Sequence, residues 1–130
     1  MRAPRASATV LVVGRSVLIV DDHAPFRAAA RKLLEAAGFD VVGEAADGEA
    51  ALAAVAQLRP EIVLLDIQLP DIDGFAVAQR LAGEGSAPAI VLTSSRSVTS
   101  FRRRLAANPA WSFIAKSDLS GEALTAAVAG

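Results

Sequence analysis

The sequence predicts an α/β fold: a doubly wound, five-stranded parallel sheet with helices on both faces. The chain has 130 residues, of which 53% are hydrophobic, enough to form the core of one domain. Continuous apolar runs, typical of strands buried on both faces, alternate with segments of helical period. Successive strands begin about 20 to 28 residues apart, which leaves room for one crossover helix each. Right-handed crossovers then favour the strand order 2-1-3-4-5.

Five apolar segments are predicted to be strands. The second contains Gly43 and Glu44, which indicates an exposed position at the edge of the sheet. Trp111 is expected to pack at the edge of the last strand. The predicted strands are 17–20, 41–45, 61–65, 89–92 and 111–115.

The first helix is predicted to begin near Pro25, since proline suits the first turn of a helix. Gly38 offers a C-terminal cap. The apolar residues that recur between them at helical spacing are Phe26, Ala30, Leu33 and Ala37.

Aspartates are predicted to cap the next two helices. Asp47 precedes a helix that runs to Leu58, with Pro60 beyond its end, and Asp73 precedes a helix over 74–82. The residues predicted to face inward from these helices are Ala51, Leu52, Val55, Val77, Ala78 and Leu81.

The last two helices are less clearly delimited. One is predicted over 99–107, where Asn108 and Pro109 end it. The other is predicted to begin at Leu119 or Ser120 and to include Leu124 and Val128.

Composition excludes several classes of function. The chain has no cysteine and one histidine, His23, so thiolate chemistry and histidine-rich metal sites are ruled out. Its net charge of −1 disfavours direct nucleic-acid binding. No apolar run approaches the roughly 20 residues that span a bilayer, and we expect a cytoplasmic protein without membrane contact. Residues 1–15 are predicted to be a flexible extension, and 10–13 could alternatively form a short edge strand. Residues 16–130 are predicted to form the domain.

Four of the five predicted strands end in a polar functional group. These groups are Asp21 with Asp22, then Asp66, Thr93 and Lys116. Because parallel strands end at the same edge of a sheet, we expect these side chains to converge. Converging carboxylates repel one another unless a cation is bound, and oxygen ligands select Mg²⁺ or Mn²⁺. A carboxylate, a divalent ion, a lysine and a hydroxyl together indicate phosphoryl transfer onto an aspartate.

With these residues the chain resembles a response-regulator receiver domain of two-component signalling, which has a flavodoxin-like fold. The resemblance covers about 16–129. His23 after the two aspartates and the ending from Phe113 to Ser120 resemble the NarL/FixJ-type subfamily most. The matching motifs are Val20-Asp21-Asp22, Leu64-Leu65-Asp66, Leu69-Pro70 with Asp73-Gly74, Val91-Leu92-Thr93-Ser94 and Phe113-Ile114-Ala115-Lys116.

The resemblance implies a role for each matching residue. Asp66 would accept a phosphoryl group from a sensor histidine kinase or a phosphotransfer protein. Asp22, Asp66 and the backbone carbonyl of Gln68 would bind Mg²⁺ directly, and Asp21 would act mainly through water. Thr93 and Lys116 would contact the phosphoryl oxygens.

The resemblance also implies a conformational switch. Phe113 would turn inward as Thr93 moves toward the phosphoryl group, while Gln68 and Ser95 would modulate hydrolysis. The fourth helix, fifth strand and fifth helix would bind a downstream partner or form a homodimer, and the arginines at 102–104 are either solvated or part of that contact.

The sequence departs from the family pattern in three respects. The switch residue Phe113 is not tyrosine, so it has no hydroxyl. Ser117 follows Lys116 where many members have proline, and a cis peptide bond before another residue costs about 3 kcal/mol. Many members of the subfamily carry a helix-turn-helix domain, whereas these residues end at Gly130, as in a stand-alone or an excised receiver.

Three other functions would each require a different residue pattern. A haloacid-dehalogenase-type hydrolase needs a second aspartate two residues after the nucleophile, where this chain has Gln68. A nucleotide-binding module needs a glycine-rich turn after the first strand, and Asp21-Asp22-His23-Ala24-Pro25 lacks one. A receiver that cannot be phosphorylated would lack one of the key residues, but all of them are present. We therefore expect a phosphorylatable switch rather than an enzyme.

Overall fold

The computed structural model describes residues 14–83 and 87–129. The predictions for 1–13, including the strand at 10–13, lie outside this range. Five parallel strands form one sheet in the order β2-β1-β3-β4-β5, as predicted. The strands are β1 Ser16–Val20, β2 Asp40–Ala45, β3 Ile62–Asp66, β4 Ala89–Ser94 and β5 Ser112–Ala115.

The strand ends differ slightly from the prediction. Asp66 is the last residue of β3 and pairs with Thr93, which lies inside β4 rather than after it. The strand β5 begins at Ser112, so Trp111 precedes the strand. The apolar pattern located the strands but did not show that ladder bonds continue through these polar residues.

In the part of the chain that the structure describes, five α-helices connect and flank the strands. As predicted, the side chain of Asp47 caps the second helix by accepting from Ala50 N, and that of Asp73 caps the third by accepting from Phe75 N. Gly38, with φ of 101°, follows the first helix in the left-handed region that glycine tolerates. The helices are α1 Ala24–Ala36, α2 Gly48–Leu58, α3 Gly74–Ala82, α4 Arg102–Ala106 and α5 Gly121–Ala129. Within the described ranges, no helix is long and apolar enough to cross a membrane.

The fourth helix is shorter than predicted. A 3₁₀ helix, Val98–Phe101, replaces its first turn, and only five α-helical residues follow. Two β-branched residues, Val98 and Thr99, open this segment, and Ser97 forms no side-chain cap. Both features disfavour a regular α-helical start.

Alternate residues of the central strands face opposite sides of the sheet. Leu18, Val63 and Leu92 belong to the core beneath α2 and α3, and Ile19, Leu64 and Val91 to the core beneath α1 and α5. On α1, Leu33 belongs to the apolar residues at helical spacing, yet its side chain is 37% exposed, whereas the neighbouring Leu34 is fully buried.

Candidate functional site

Three charged side chains meet at the carboxyl ends of β1, β3 and β5. Asp21 follows β1, Asp66 ends β3, and Lys116 follows β5. The Lys116 Nζ lies 2.6 Å from Asp21 Oδ2 and 3.3 Å from Asp66 Oδ2. The predicted convergence of these strand ends is therefore present in the fold.

Burial sets the electrostatics of this cluster. Asp21 is fully buried and Asp66 is 3% exposed. Burial raises the pKa of Asp66, and Asp21 adds to this, although the Gln68 backbone N–H and Lys116 oppose it. Burial alone would lower the pKa of Lys116, but the two carboxylates outweigh it, so its pKa is raised. The ammonium is thus held in its charged form.

The backbone around Asp66 fixes the direction of its carboxylate. Gln68 N donates to Asp66 Oδ1 at 3.1 Å, which leaves Oδ2 facing Lys116. Ile67 N donates to the Thr93 carbonyl at 2.9 Å, and Gly74 N donates to the Ile67 carbonyl at 2.7 Å. The loop after β3 is therefore bonded both to β4 and to the start of α3.

The side chains at this edge fit a divalent metal ion. Asp21, Asp22, His23 and Asp66 each offer one ligand atom, and these atoms all lie within 4.8 Å of one another. Among the described residues, the buried Asp21 Oδ2 accepts no hydrogen bond and is instead ion-paired with the Lys116 ammonium at 2.6 Å. A carboxylate-rich set of this kind suits a hard cation such as Mg²⁺ or Mn²⁺.

Two neighbours of the charged cluster were not predicted as part of it. His23, which directly follows the two aspartates in the sequence, places Nδ1 3.1 Å from an oxygen of Asp21 and 3.1 Å from an oxygen of Asp22. The Phe26 ring, predicted only as a core residue, lies 4.7 Å from Lys116 Nζ in a cation–π contact. His23 could have been found from its place directly after the aspartate pair; no sequence signal pointed to Phe26.

Aromatic side chains connect the site to α4. Phe113 of β5 packs against Phe101 with ring centroids 6.0 Å apart, and Phe101 packs against Phe75 at 6.3 Å. Trp111 lies 6.1 Å from Phe75, so it packs into this cluster rather than at the sheet edge alone. The position predicted as the switch, Phe113, thus joins β5 to the segment that leads into α4.

A surface groove lies between the β4–α4 loop, β5 and α5. Its volume is about 930 Å³, and most of its lining side chains are small or polar. They include Ser95, Val98, Ser112, Phe113, Ala123 and Ala127.

In the described chain every peptide bond is trans, including the bond between Lys116 and Ser117.

The strand order and the charged cluster agree with a response-regulator receiver domain, and so does comparison with known proteins. A family model of the response regulator receiver domain matches residues 17–129. The chain therefore belongs to the response-regulator receiver family.

Curated relatives include longer proteins named as regulators. A putative transcriptional regulator of Pseudomonas aeruginosa is 37% identical over 113 residues, 87% of this chain and 55% of that protein. The virulence regulator BvgA of Bordetella pertussis is 35% identical over 113 residues, 87% of this chain and 54% of that protein. The chain thus spans about half the length of these relatives.

Solved receiver structures share the fold. The receiver domain of a modulated diguanylate cyclase from Desulfovibrio desulfuricans has a TM-score of 0.72 at 35% identity, covering 88% of this chain and 90% of that one. The receiver domain of the putative regulator NarL from Mycobacterium tuberculosis has a TM-score of 0.74 at 29% identity, covering 90% and 94%.

Proposed function

We propose that this receiver accepts a phosphoryl group on Asp66 from a phosphohistidine of a sensor histidine kinase or a phosphotransfer protein. The observation that carries the proposal is the position of Lys116 Nζ, in contact with both Asp21 and the buried Asp66. A buried carboxylate beside a fixed ammonium is suited to receive an anionic group. We place the reaction in the cytoplasm and assign the receiver to residues 16–130.

In the proposed step an Asp66 carboxylate oxygen attacks phosphorus. The new O–P bond forms as the N–P bond of the phosphohistidine breaks, and the electron pair returns to the imidazole nitrogen. Lys116 and the Thr93 hydroxyl would neutralise and hold the phosphoryl oxygens. Thr93 is the β4 residue that pairs with Asp66, so the two residues lie side by side on adjoining strands.

Asp22, Asp66 and the backbone carbonyl of Gln68 would hold Mg²⁺ or Mn²⁺, with Asp21 acting mainly through water. When bound, the ion supplies positive charge that offsets the phosphoryl oxygens and the aspartates. Asp22 suits this arrangement because its side chain is 35% exposed at the rim, where an ion can enter, whereas Asp21 is fully buried.

The output of the proposed switch is a change in protein contacts. Movement of Thr93 toward the phosphoryl group would alter the packing of Phe113 against Phe101, and through it the start of α4. The groove beside β5 and α5, with the exposed Val98 at its margin, is then the surface for a downstream partner or a second copy of the chain. Gln68 and Ser95, both exposed at the rim, would modulate loss of the phosphoryl group.

Acetyl phosphate labelling tests the chemistry. We expect intact-mass analysis to show one added phosphoryl group in the presence of Mg²⁺ or Mn²⁺ and none in EDTA. Asp66→Asn should abolish labelling, whereas Asp40→Asn, a change of the same kind at an exposed site on β2, should not. Labelling of the Asp66→Asn variant at the parent rate would refute the assignment, and an unlabelled parent would indicate a receiver that is not phosphorylated.

Beryllofluoride, which mimics an aspartyl phosphate, tests the output. Amide chemical shifts should change around Asp66 and then along α4, β5 and α5. Changes confined to the residues next to Asp66 would contradict the proposed switch.

A further inference from the structure

His23 contacts the acidic cluster through both its backbone and its ring. Its backbone N–H donates to Asp21 Oδ1 at 2.8 Å, which folds the residue back over the aspartates. Its ring Nδ1 then lies 3.1 Å from Asp21 Oδ1 and 3.1 Å from Asp22 Oδ1. One ring N–H can point well at only one of these oxygens, and only the contact with Asp21 has hydrogen-bond geometry.

The same distances suit two ligands of one metal ion. Adjacent ligands of an octahedral ion with bonds of about 2.1 Å lie roughly 3.0 Å apart. The separation of 3.1 Å between Nδ1 and Asp22 Oδ1 matches that spacing. The ligand atoms of Asp21, Asp22, His23 and Asp66 also fit within one coordination sphere, since none is more than 4.8 Å from another.

We propose that His23 Nδ1 is a direct ligand of the divalent ion in this receiver. With this nitrogen ligand, the site prefers transition-metal ions to Mg²⁺ more strongly than a site with oxygen ligands alone would. The inference rests on the metal site of the proposed function. Imidazole nitrogen is a good ligand for Co²⁺, Ni²⁺ and Zn²⁺, whereas Mg²⁺ selects oxygen.

The position of His23 allows this role. Its side chain is 67% exposed, so the ring can turn its Nδ1 lone pair toward an ion at small cost in packing. Its extended backbone, with φ of −97° and ψ of 104°, precedes α1 and keeps the ring beside Asp22. Its replacement by asparagine should also fold, because asparagine is a preferred residue at a helix N-cap.

The test uses tag-free protein and two variants. His23→Asn keeps an amide N–H that can donate to the aspartates but removes the imidazole. We expect calorimetry to show an affinity for Ni²⁺ at least tenfold lower in His23→Asn than in the parent, with the affinity for Mg²⁺ changed less than threefold. Asp22→Ala should weaken the binding of both ions. Because the chain contains one histidine, pulsed electron paramagnetic resonance of bound Mn²⁺ should show imidazole nitrogen coupling that is lost in His23→Asn.

Three results would overturn the proposal: no nitrogen coupling in the parent, equal losses of Ni²⁺ and Mg²⁺ affinity in His23→Asn, or Ni²⁺ binding that Asp22→Ala leaves intact. Failure of the proposed function is distinct from these. Nitrogen coupling without labelling of Asp66 would support the His23 ligand and reject phosphorylation, whereas Mg²⁺-dependent labelling without coupling would do the reverse.

Discussion

Arg104 of α4 holds the carboxylate of Asp73 with both terminal nitrogens, at 3.0 Å and 3.2 Å. Its guanidinium also lies over the Phe75 ring, 4.0 Å from the centroid. Asp73 caps α3 at the same time by accepting from Phe75 N at 2.7 Å. The row of arginines at 102–104 is therefore not wholly available to a partner, because Arg104 ties α4 to the loop that follows Asp66.

We expect Arg104→Ala to lower the free energy of unfolding by about 1 kcal/mol, since an exposed ion pair and a cation–π contact are both lost. Arg104→Lys should recover part of this, because lysine keeps the charge but not the paired hydrogen bonds. Urea unfolding would measure both changes. Arg103→Ala is the matched control, since Arg103 forms no side-chain ion pair in the described part of the chain. An equal loss of stability in that variant would contradict the role of Arg104.

Asp71 provides a pH-dependent contribution to stability. Its carboxylate accepts from the backbone N–H groups of Gly48, Glu49 and Ile72, so it joins the loop after β3 to the start of α2. These bonds, that of Gly48 foremost, lower the pKa of Asp71 from its usual 3.8. The stabilisation is therefore full above pH 3.8, the unfolded value, and is lost as pH falls through the lower folded pKa.

Asp71→Asn should accordingly melt below the parent at neutral pH, and the difference should shrink as the medium becomes acidic. Thermal melts at a series of pH values would show this. Asp118→Asn, at an exposed position, serves as the control. A gap between Asp71→Asn and the parent that stays constant into acid would contradict the assignment.

The sheet and the charged cluster were predictable because their signals are local. Asp66, Thr93 and Lys116 each come at the end of an apolar run, and strand ends meet at one edge whatever the side chains do elsewhere. The capping roles of Asp47 and Asp73 were equally local, since each precedes its own helix.

The contacts that were missed depend on the third dimension. Arg104 and Asp73 are 31 residues apart, and nothing in their spacing shows that α4 lies over the loop after β3. Leu33 and Leu34 are adjacent apolar residues, so helical period could not choose between them, and the packing against the sheet did. The 3₁₀ start of the fourth helix likewise reflects weak capping, which an apolar pattern does not show.

Removing the Asp66 charge should stabilise the metal-free protein. Burial, and then Asp21, raise the pKa of Asp66, so the ionised carboxylate opposes folding at pH 7. The advantage of Asp66→Asn should be greatest at pH 7 and should shrink as pH falls through the raised folded pKa, because the parent then becomes neutral there too. In EDTA we expect the gain to be on the order of 1 kcal/mol.

Magnesium should make the parent more stable than Asp66→Asn, the reverse of the order expected in EDTA. Binding to the folded parent raises its melting temperature, whereas Asp66→Asn lacks one of the proposed ligands and should respond less. Calorimetric melts with and without Mg²⁺ would test this, with Asp40→Asn as the control that responds like the parent. An Asp66→Asn variant that is less stable than the parent in EDTA would show that the ion pair with Lys116 outweighs the cost of burial.

Gly74 allows the loop after β3 to close against Asp66. A Cβ at this position would meet the backbone carbonyl oxygen of Asp66 and would lie 2.7 Å from Ile67 Cα, so backbone rather than a flexible side chain would have to move. We expect Gly74→Ala to lower the free energy of unfolding by about 1–3 kcal/mol. It should also slow the labelling of Asp66 by acetyl phosphate, because the displaced backbone carries the proposed phosphoacceptor.

Gly83→Ala is the matched control, since its Cβ would lie 3.5 Å from the nearest atom, an ordinary contact. Urea unfolding and labelling rates for the two variants would decide: similar values for both would mean that the close approach of Gly74 to Asp66 does not constrain the site.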